Sequence, residues 1–128
     1  MLHQPDLARL LLRLTLGFLL LFHGLSKLIH GVGPIEGLVT AHGLPAALAW
    51  GVFIGEIVAP IMLIIGYQTR VGATLVIINM IFAIVLAHSH ELLALKSNGG
   101  WALELQALFL MNAVVILLIG PGRHRMHS

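Results

Sequence analysis

The sequence predicts an all-α integral membrane protein, a single domain over residues 1–128 that forms a bundle of four transmembrane helices. The first observation is composition: 59% of the residues are hydrophobic and only 9% are charged, whereas a soluble domain carries about a quarter charged residues. So few charges cannot cover a water-soluble surface. The second observation is the presence of four apolar stretches, each close to the about 20 helical residues that a bilayer core requires.

The four predicted helices cover about residues 7–29, 46–65, 71–87 and 101–119. Turn-forming Gly, Pro and Asn residues separate them, as expected at helix boundaries. Pro34 and Gly43 bracket a predicted short helix in the first loop, and Pro60 predicts a kink inside the second helix. No small-residue cleavage site follows the first stretch, so we expect it to be retained rather than removed as a signal peptide.

The basic residues predict the orientation of the bundle. With four spans, one side holds five arginines, namely Arg9, Arg13, Arg70, Arg123 and Arg125. The other side holds only Lys27 and Lys96. Because basic residues accumulate on the cytoplasmic side, both termini are expected to be cytoplasmic.

Composition also excludes several classes of function. The net charge is only +2 and the basic residues form no patch, so nucleic acid is not an expected partner. There is no cysteine, which excludes disulfides, thiolate metal sites and thiol nucleophiles in this chain. The expected surroundings are the lipid bilayer.

A set of polar residues at membrane depth forms the candidate pocket. Such groups are costly in lipid and therefore tend to face the bundle interior and pair with one another. Glu56 lies near the middle of the second predicted helix, and the others lie level with it or nearer the outer surface. The candidate pocket residues are Glu56, His23, Lys27, Glu104, His88, Asn79 and Asn112.

The position of Glu56 has two interpretations, one functional and one structural. A buried carboxyl group stays protonated unless a cation such as Lys27 lies beside it, and either state suits a proton donor, a proton acceptor or a partner for a quinone carbonyl. Alternatively, an ion pair of Glu56 simply holds two helices together. Asn79 and Asn112 are more readily explained as interhelical hydrogen bonds than as site residues.

For the remaining polar and small residues, the sequence does not decide between a structural and a functional role. Arg13 and Arg70 form an inner basic pair whose side chains can extend to the membrane surface. A weak alternative places a metal ion on His23, His88 and His90, although no characteristic ligand spacing supports it. The small residues Gly51, Gly55 and Ala59 form a stripe that allows close packing within the bundle or in a homo-oligomer.

Several short motifs follow one another along the chain. They are Arg13-xxx-Gly17-Phe18-xxxx-His23-Gly24-xx-Lys27, Gly43-Leu44-Pro45, Glu56, Gly66-xx-Thr69-Arg70, Met80 with Ala83, and Gly120-Pro121-Gly122-Arg123. Together these motifs resemble the DoxX family of small four-helix bacterial membrane proteins. The resemblance spans nearly the whole chain, although the tail His124-Arg125-Met126-His127-Ser128 departs from the family's usual ending.

The resemblance implies a multi-pass protein of the bacterial inner membrane. The family is named by similarity to a membrane subunit of thiosulfate:quinone oxidoreductase, so a redox-associated role with redox partner proteins and a quinone is the first hypothesis. A non-catalytic scaffold that anchors partner enzymes is the second, and a small transporter is a less favoured third. Neither the residues nor the resemblance decides whether the chain is catalytic.

Overall fold

The computed structural model describes residues 4–87 and 99–125, together with Leu95 and Ser97. Within these residues the fold is all-α, with no strand beyond an isolated antiparallel bridge between Leu95 and Trp101. The α-helices are α1 (Pro5–His30), α2 (Gly33–Ala41), α3 (Ala59–Ile65), α4 (Thr69–Ala87) and α5 (Glu104–Ile119). A 3₁₀ turn (Ala46–Gly51) and a π turn (Ile54–Val58) lie between α2 and α3. The all-α prediction is therefore confirmed.

Three of the helical segments are long and apolar enough to cross a membrane, namely Pro5–His30, Ala46–Ile65 and Thr69–Leu86. The fourth predicted span, residues 101–119, is shorter than expected because α5 begins only at Glu104. Its 16 residues extend over about 24 Å, less than the about 30 Å of a bilayer core. The count of four spans therefore remains a prediction.

Helices α1, α3, α4 and α5 pack around the main apolar core. Helix α1 contacts α3 and α5, and α4 contacts the same two helices. The core is formed by Leu16 and Leu20 of α1, Leu63 of α3, Val76 of α4 and Ile116 of α5, all of which are buried. Large apolar side chains on the outside, including Phe22, Ile29 and Leu118, are exposed, as expected of surfaces that face lipid.

The second span is not one regular helix. It passes from the 3₁₀ turn through Val52 and Phe53 into the π turn and then into α3. In the π turn the Ala59 N–H donates to the Ile54 carbonyl, five residues back. Pro60 has no N–H to donate to the carbonyl of residue 56, so the α-helical pattern cannot continue through this point. The helix thus changes type directly before Pro60, and the kink itself stays a prediction.

The predicted short helix in the first loop is observed as α2. Together with the 3₁₀ turn it builds a second, smaller core in which Val32, Val39 and Ala49 are buried. Ile35, Phe53 and Leu86 pack against this core. As a result, α2 contacts the 3₁₀ turn and α4, which places it beside the candidate site.

Candidate functional site

The centre of the candidate site is the carboxylate of Glu56, which the π turn carries into the interior. Glu56 is only 3% exposed. Its Oε1 pairs with the ammonium group of Lys27 on α1. Its Oε2 accepts a hydrogen bond of 2.9 Å from Nδ2 of Asn79 on α4. One buried carboxylate thus links three separate segments of the bundle.

Glycine allows the three segments to approach closely enough for these contacts. A Cβ atom on Gly24 would overlap the backbone carbonyl of Glu56, and a Cβ on Gly55 would overlap the Asn79 side chain. The backbone of α1 therefore lies directly against the π turn, and the π turn lies directly against α4. Such a close approach at small residues is typical of helix packing in membranes.

A large cavity of about 440 Å³ lies on one side of the Glu56 carboxylate. Its walls come from α1, α2, the 3₁₀ and π turns and α4. Most of the lining residues are apolar, and the polar side chains among them are Lys27, Glu56 and Asn79. The apolar lining includes Leu38, Leu48, Val52, Ile78 and Phe82, with Gly51 at one wall. An apolar cavity of about 300–1,000 Å³ with a few converging polar groups is the usual form of a small-molecule site.

A small chamber of about 100 Å³ lies on the other side of the Lys27–Glu56 pair. It is bounded by α1, the π turn, α4 and the beginning of α5. Its polar lining consists of His23, Lys27, Glu56 and Gln106. The His23 ring stands edge-on to the Phe109 ring, with centroids 5.6 Å apart and planes at 81°.

The structure brings together part of the predicted set and leaves part of it apart. Glu56, Lys27, Asn79 and His23 line one or both of these cavities. Glu104, the first residue of α5, and the half-buried Asn112 are not part of either lining. His88 and His90 lie outside the described residues, so the alternative metal set with His23 is not tested. Among the residues that the structure does describe, no three His, Asp or Glu side chains converge to form a metal site.

Gln106 is a lining residue that the sequence reasoning missed. It lies in the first turn of α5, one turn before Phe109. The sequence did indicate a role for Gln106, because an amide within an apolar membrane stretch is costly unless it meets another polar group.

Arg13 is fully buried rather than extended to the membrane surface as expected. Its side chain is 1% exposed and its guanidinium donates to four backbone carbonyls. The acceptors are the carbonyls of Leu63, Ile64, Pro121 and His124, at 2.9, 3.3, 2.9 and 2.6 Å. Arg13 therefore joins α1 to the end of α3 and to the segment after α5.

Arg70 remains at the surface of the same end of the molecule. Its Nε donates to the Leu117 carbonyl at 3.0 Å while the residue stays exposed. Nearby, Arg123 Nε donates to Asp6 Oδ2 at 3.1 Å, so the start of α1 lies beside the segment that follows α5. Arg13 and Arg70 thus occupy the same end of the bundle, but Arg13 is a buried link between segments and Arg70 is an exposed residue at its surface.

The predicted small-residue stripe is used mainly within the chain. Ala59 is fully buried and Gly55 packs against Asn79. Gly51 has open space beside its Cα and lines the large cavity. Two of the three residues are therefore occupied by the bundle itself, and nothing here supports a homo-oligomer seam.

Long apolar helices around an apolar core, with polar side chains held at the centre of the bundle, define a multi-pass membrane protein associated with the lipid bilayer. The DoxX family model matches residues 8–89. The chain belongs to the DoxX family. No curated protein and no solved structure matches the chain.

Proposed function

We propose that this DoxX protein is a bacterial inner-membrane subunit or accessory of a redox system, and that its large cavity receives a quinone or a similar lipid-soluble molecule. The observation that carries this proposal is the position of the Lys27–Glu56–Asn79 cluster at the wall of an otherwise apolar cavity of about 440 Å³. The apolar walls suit a ring and its hydrocarbon tail, and the cluster suits the carbonyl oxygen of a quinone.

Lys27 is the best-placed donor for such a carbonyl. An ammonium group has three N–H donors, and among the residues that the structure describes Glu56 is the one hydrogen-bond acceptor of Lys27. Its side chain is 31% exposed and lines the cavity. The electrons for a redox reaction come from a partner protein in this proposal, because a chain without cysteine supplies no thiol redox centre.

Photolabelling with a lipophilic quinone probe tests the proposal. The protein in lipid nanodiscs is irradiated with a diazirine-bearing quinone, and the labelled peptides are identified by mass spectrometry. Labelling is expected at cavity residues such as Phe82 and Leu48, and it should fall when Gly51→Leu fills the cavity. Gly37→Leu is the matched control, because a Cβ at Gly37 also meets open space but Gly37 is not a lining residue of the cavity.

A second probe tests recognition of the quinone ring itself. A diazirine-bearing alkane of equal length should label the cavity less than the quinone does. Glu56→Gln should reduce the difference between the two probes by weakening the hold on Lys27. Equal labelling of the wild type by both probes, or labelling by the quinone that ignores Gly51→Leu, would contradict the quinone site.

A scaffold role is the second candidate, and one observation favours it. Both oxygens of Glu56 are already occupied by Lys27 and Asn79, so the same cluster also serves as a cross-link between helices. In that case Glu56→Gln lowers stability without changing any ligand labelling, and the protein is recovered from mild detergent with a stable partner enzyme.

A transporter is not proposed. Between the Glu56 cluster and the Arg13 end, the interior is filled by buried apolar side chains, including Leu16, Leu63 and Ile116. An ion path would need polar groups along this stretch.

A further inference from the structure

The Lys27–Glu56 pair is the common wall of two cavities that differ in size and in chemistry. The large cavity is lined mainly by apolar residues, whereas the small chamber has His23, Lys27, Glu56 and Gln106 among its nine lining residues. Glu56 and Lys27 therefore line both cavities. A quinone fits only the large cavity, so the small chamber requires a separate account.

The small chamber has the volume and the polar partners that water requires. A buried water needs about 15 Å³ of cavity and two to four polar partners, and the chamber offers about 100 Å³. An ammonium group supplies donors only, a carboxylate acceptors only, and an imidazole and an amide supply both. Several waters bound there can hydrogen-bond to one another and to the ion pair.

The chamber also lies close to one end of the bundle. Gln106 and Leu105 line it and belong to the first turn of α5, which begins at Glu104. His23 is an exposed residue while Glu56 is buried. The polar lining thus runs from the surface at His23 inward to the carboxylate of Glu56.

We propose that the small chamber is a hydrated antechamber through which water reaches the Lys27–Glu56 pair from the outer side, with His23 as the polar residue at its mouth. In the proposed function, which this inference deepens, these waters carry protons between the outer solution and the polar end of the quinone cavity. Water thereby reaches the ion pair by a different route from the lipid-soluble ligand.

Single cysteines in this cysteine-free chain test the hydration. Alkylation by iodoacetamide requires a thiolate, which forms readily only where water solvates it. Met80 and Val76 lie one turn apart on the same helix and both belong to the apolar core, but of the two only Met80 lines the chamber. In nanodiscs, Met80→Cys should be alkylated about 100-fold faster than Val76→Cys, as expected for a solvated against a dry thiol. Intact-mass spectrometry measures both rates.

Second substitutions in the Met80→Cys background separate the chamber from the large cavity. His23→Leu should slow alkylation about tenfold by removing water from the mouth, and His23→Asn should restore most of the rate. Gly51→Leu should leave the rate unchanged, because Gly51 lines only the large cavity.

Three results would overturn the proposal: equal rates at Met80→Cys and Val76→Cys, no effect of His23→Leu, or a block by Gly51→Leu. Each is independent of quinone photolabelling. A hydrated chamber in a protein that binds no quinone would refute the proposed function alone, whereas a dry chamber beside a labelled cavity would refute this inference alone.

Discussion

At the scale of single residues, the pairing of Lys27 with Glu56 is the part of the site that the sequence made most accessible. Few charges occur in the spans, and a buried charge without a partner is costly, so Lys27 was one of the cations considered as a partner for Glu56. Asn79 was expected to make an interhelical hydrogen bond, and it donates one to Glu56. The shape of the cavity was not predictable, because α2 and the 3₁₀ turn form part of its walls and their positions depend on tertiary packing.

We predict that Lys27→Met destabilises the protein by about 3 kcal/mol, because it leaves a buried carboxylate without its cation. The double variant Lys27→Met/Glu56→Met should recover most of the loss, since removing both partners removes the uncompensated charge. Thermal unfolding in nanodiscs measures both changes, and Glu36→Met on α2 is a control for a generic loss of a glutamate. A double variant no more stable than Lys27→Met would show that the pair is not coupled.

At the scale of elements, the sequence pattern predicted the limits of the second span but not its helix types. Its limits, residues 46–65, were predicted from hydropathy and agree with the observed span Ala46–Ile65. Its division into 3₁₀, π and α geometry was not. Pro60 marks the place of the interruption, but the choice of a π turn also depends on Gly24 and Gly55 meeting their neighbours across the bundle. π turns occur frequently at functional sites, and this one carries Glu56.

The close packing of α1 on the π turn gives a prediction of its own. Gly24→Ala should destabilise the protein by about 3 kcal/mol, because its Cβ overlaps the Glu56 carbonyl and overpacking has a cost of this order. Gly37→Ala on α2 should instead be neutral or stabilising by up to about 1 kcal/mol, since alanine is the better helix former and its Cβ meets open space.

Thermal unfolding of both glycine variants in nanodiscs provides the measurement. Quinone photolabelling of Gly24→Ala should also fall, because the displaced π turn carries Glu56 away from Lys27. Similar stabilities for the two alanine variants would mean that α1 and the π turn are not in direct backbone contact.

At the scale of the whole molecule, two buried polar groups join separate segments of the chain. Arg13 does so at one end of the bundle, and the Glu56 cluster does so farther along it. From the sequence, five arginines were placed on one side of the membrane, and Arg13 and Arg70 were expected to extend to the membrane surface there. The burial of Arg13 was not foreseen, because its acceptors are carbonyls at the end of α3 and in the segment after α5. Backbone carbonyls freed at helix ends leave no mark in the sequence, except for the Gly and Pro residues around them.

We predict that Arg13→Met destabilises the protein by about 3 kcal/mol, because several buried carbonyls lose a charged donor. Arg70→Met should cost less than about 1 kcal/mol, since Arg70 is exposed and donates to one described carbonyl, and an ordinary hydrogen bond contributes about that much. Unfolding temperatures in nanodiscs compare the two variants. Limited proteolysis should also cut residues 120–125 faster in Arg13→Met. Equal sensitivity of the two variants would contradict the role of Arg13 in holding the segment after α5 against the bundle.

The contact of Asp6 with Arg123 places the start of α1 and the segment after α5 at the same end of the molecule. The basic residues at this end predict that it faces the cytoplasm. Single cysteines at His42 and His124, both exposed, test the orientation in spheroplasts of a bacterial host. A membrane-impermeant maleimide should label His42→Cys in intact spheroplasts, because residue 42 follows α2 at the opposite end. It should label His124→Cys only after permeabilisation, and labelling of both or the reverse pattern in intact spheroplasts would contradict the predicted topology.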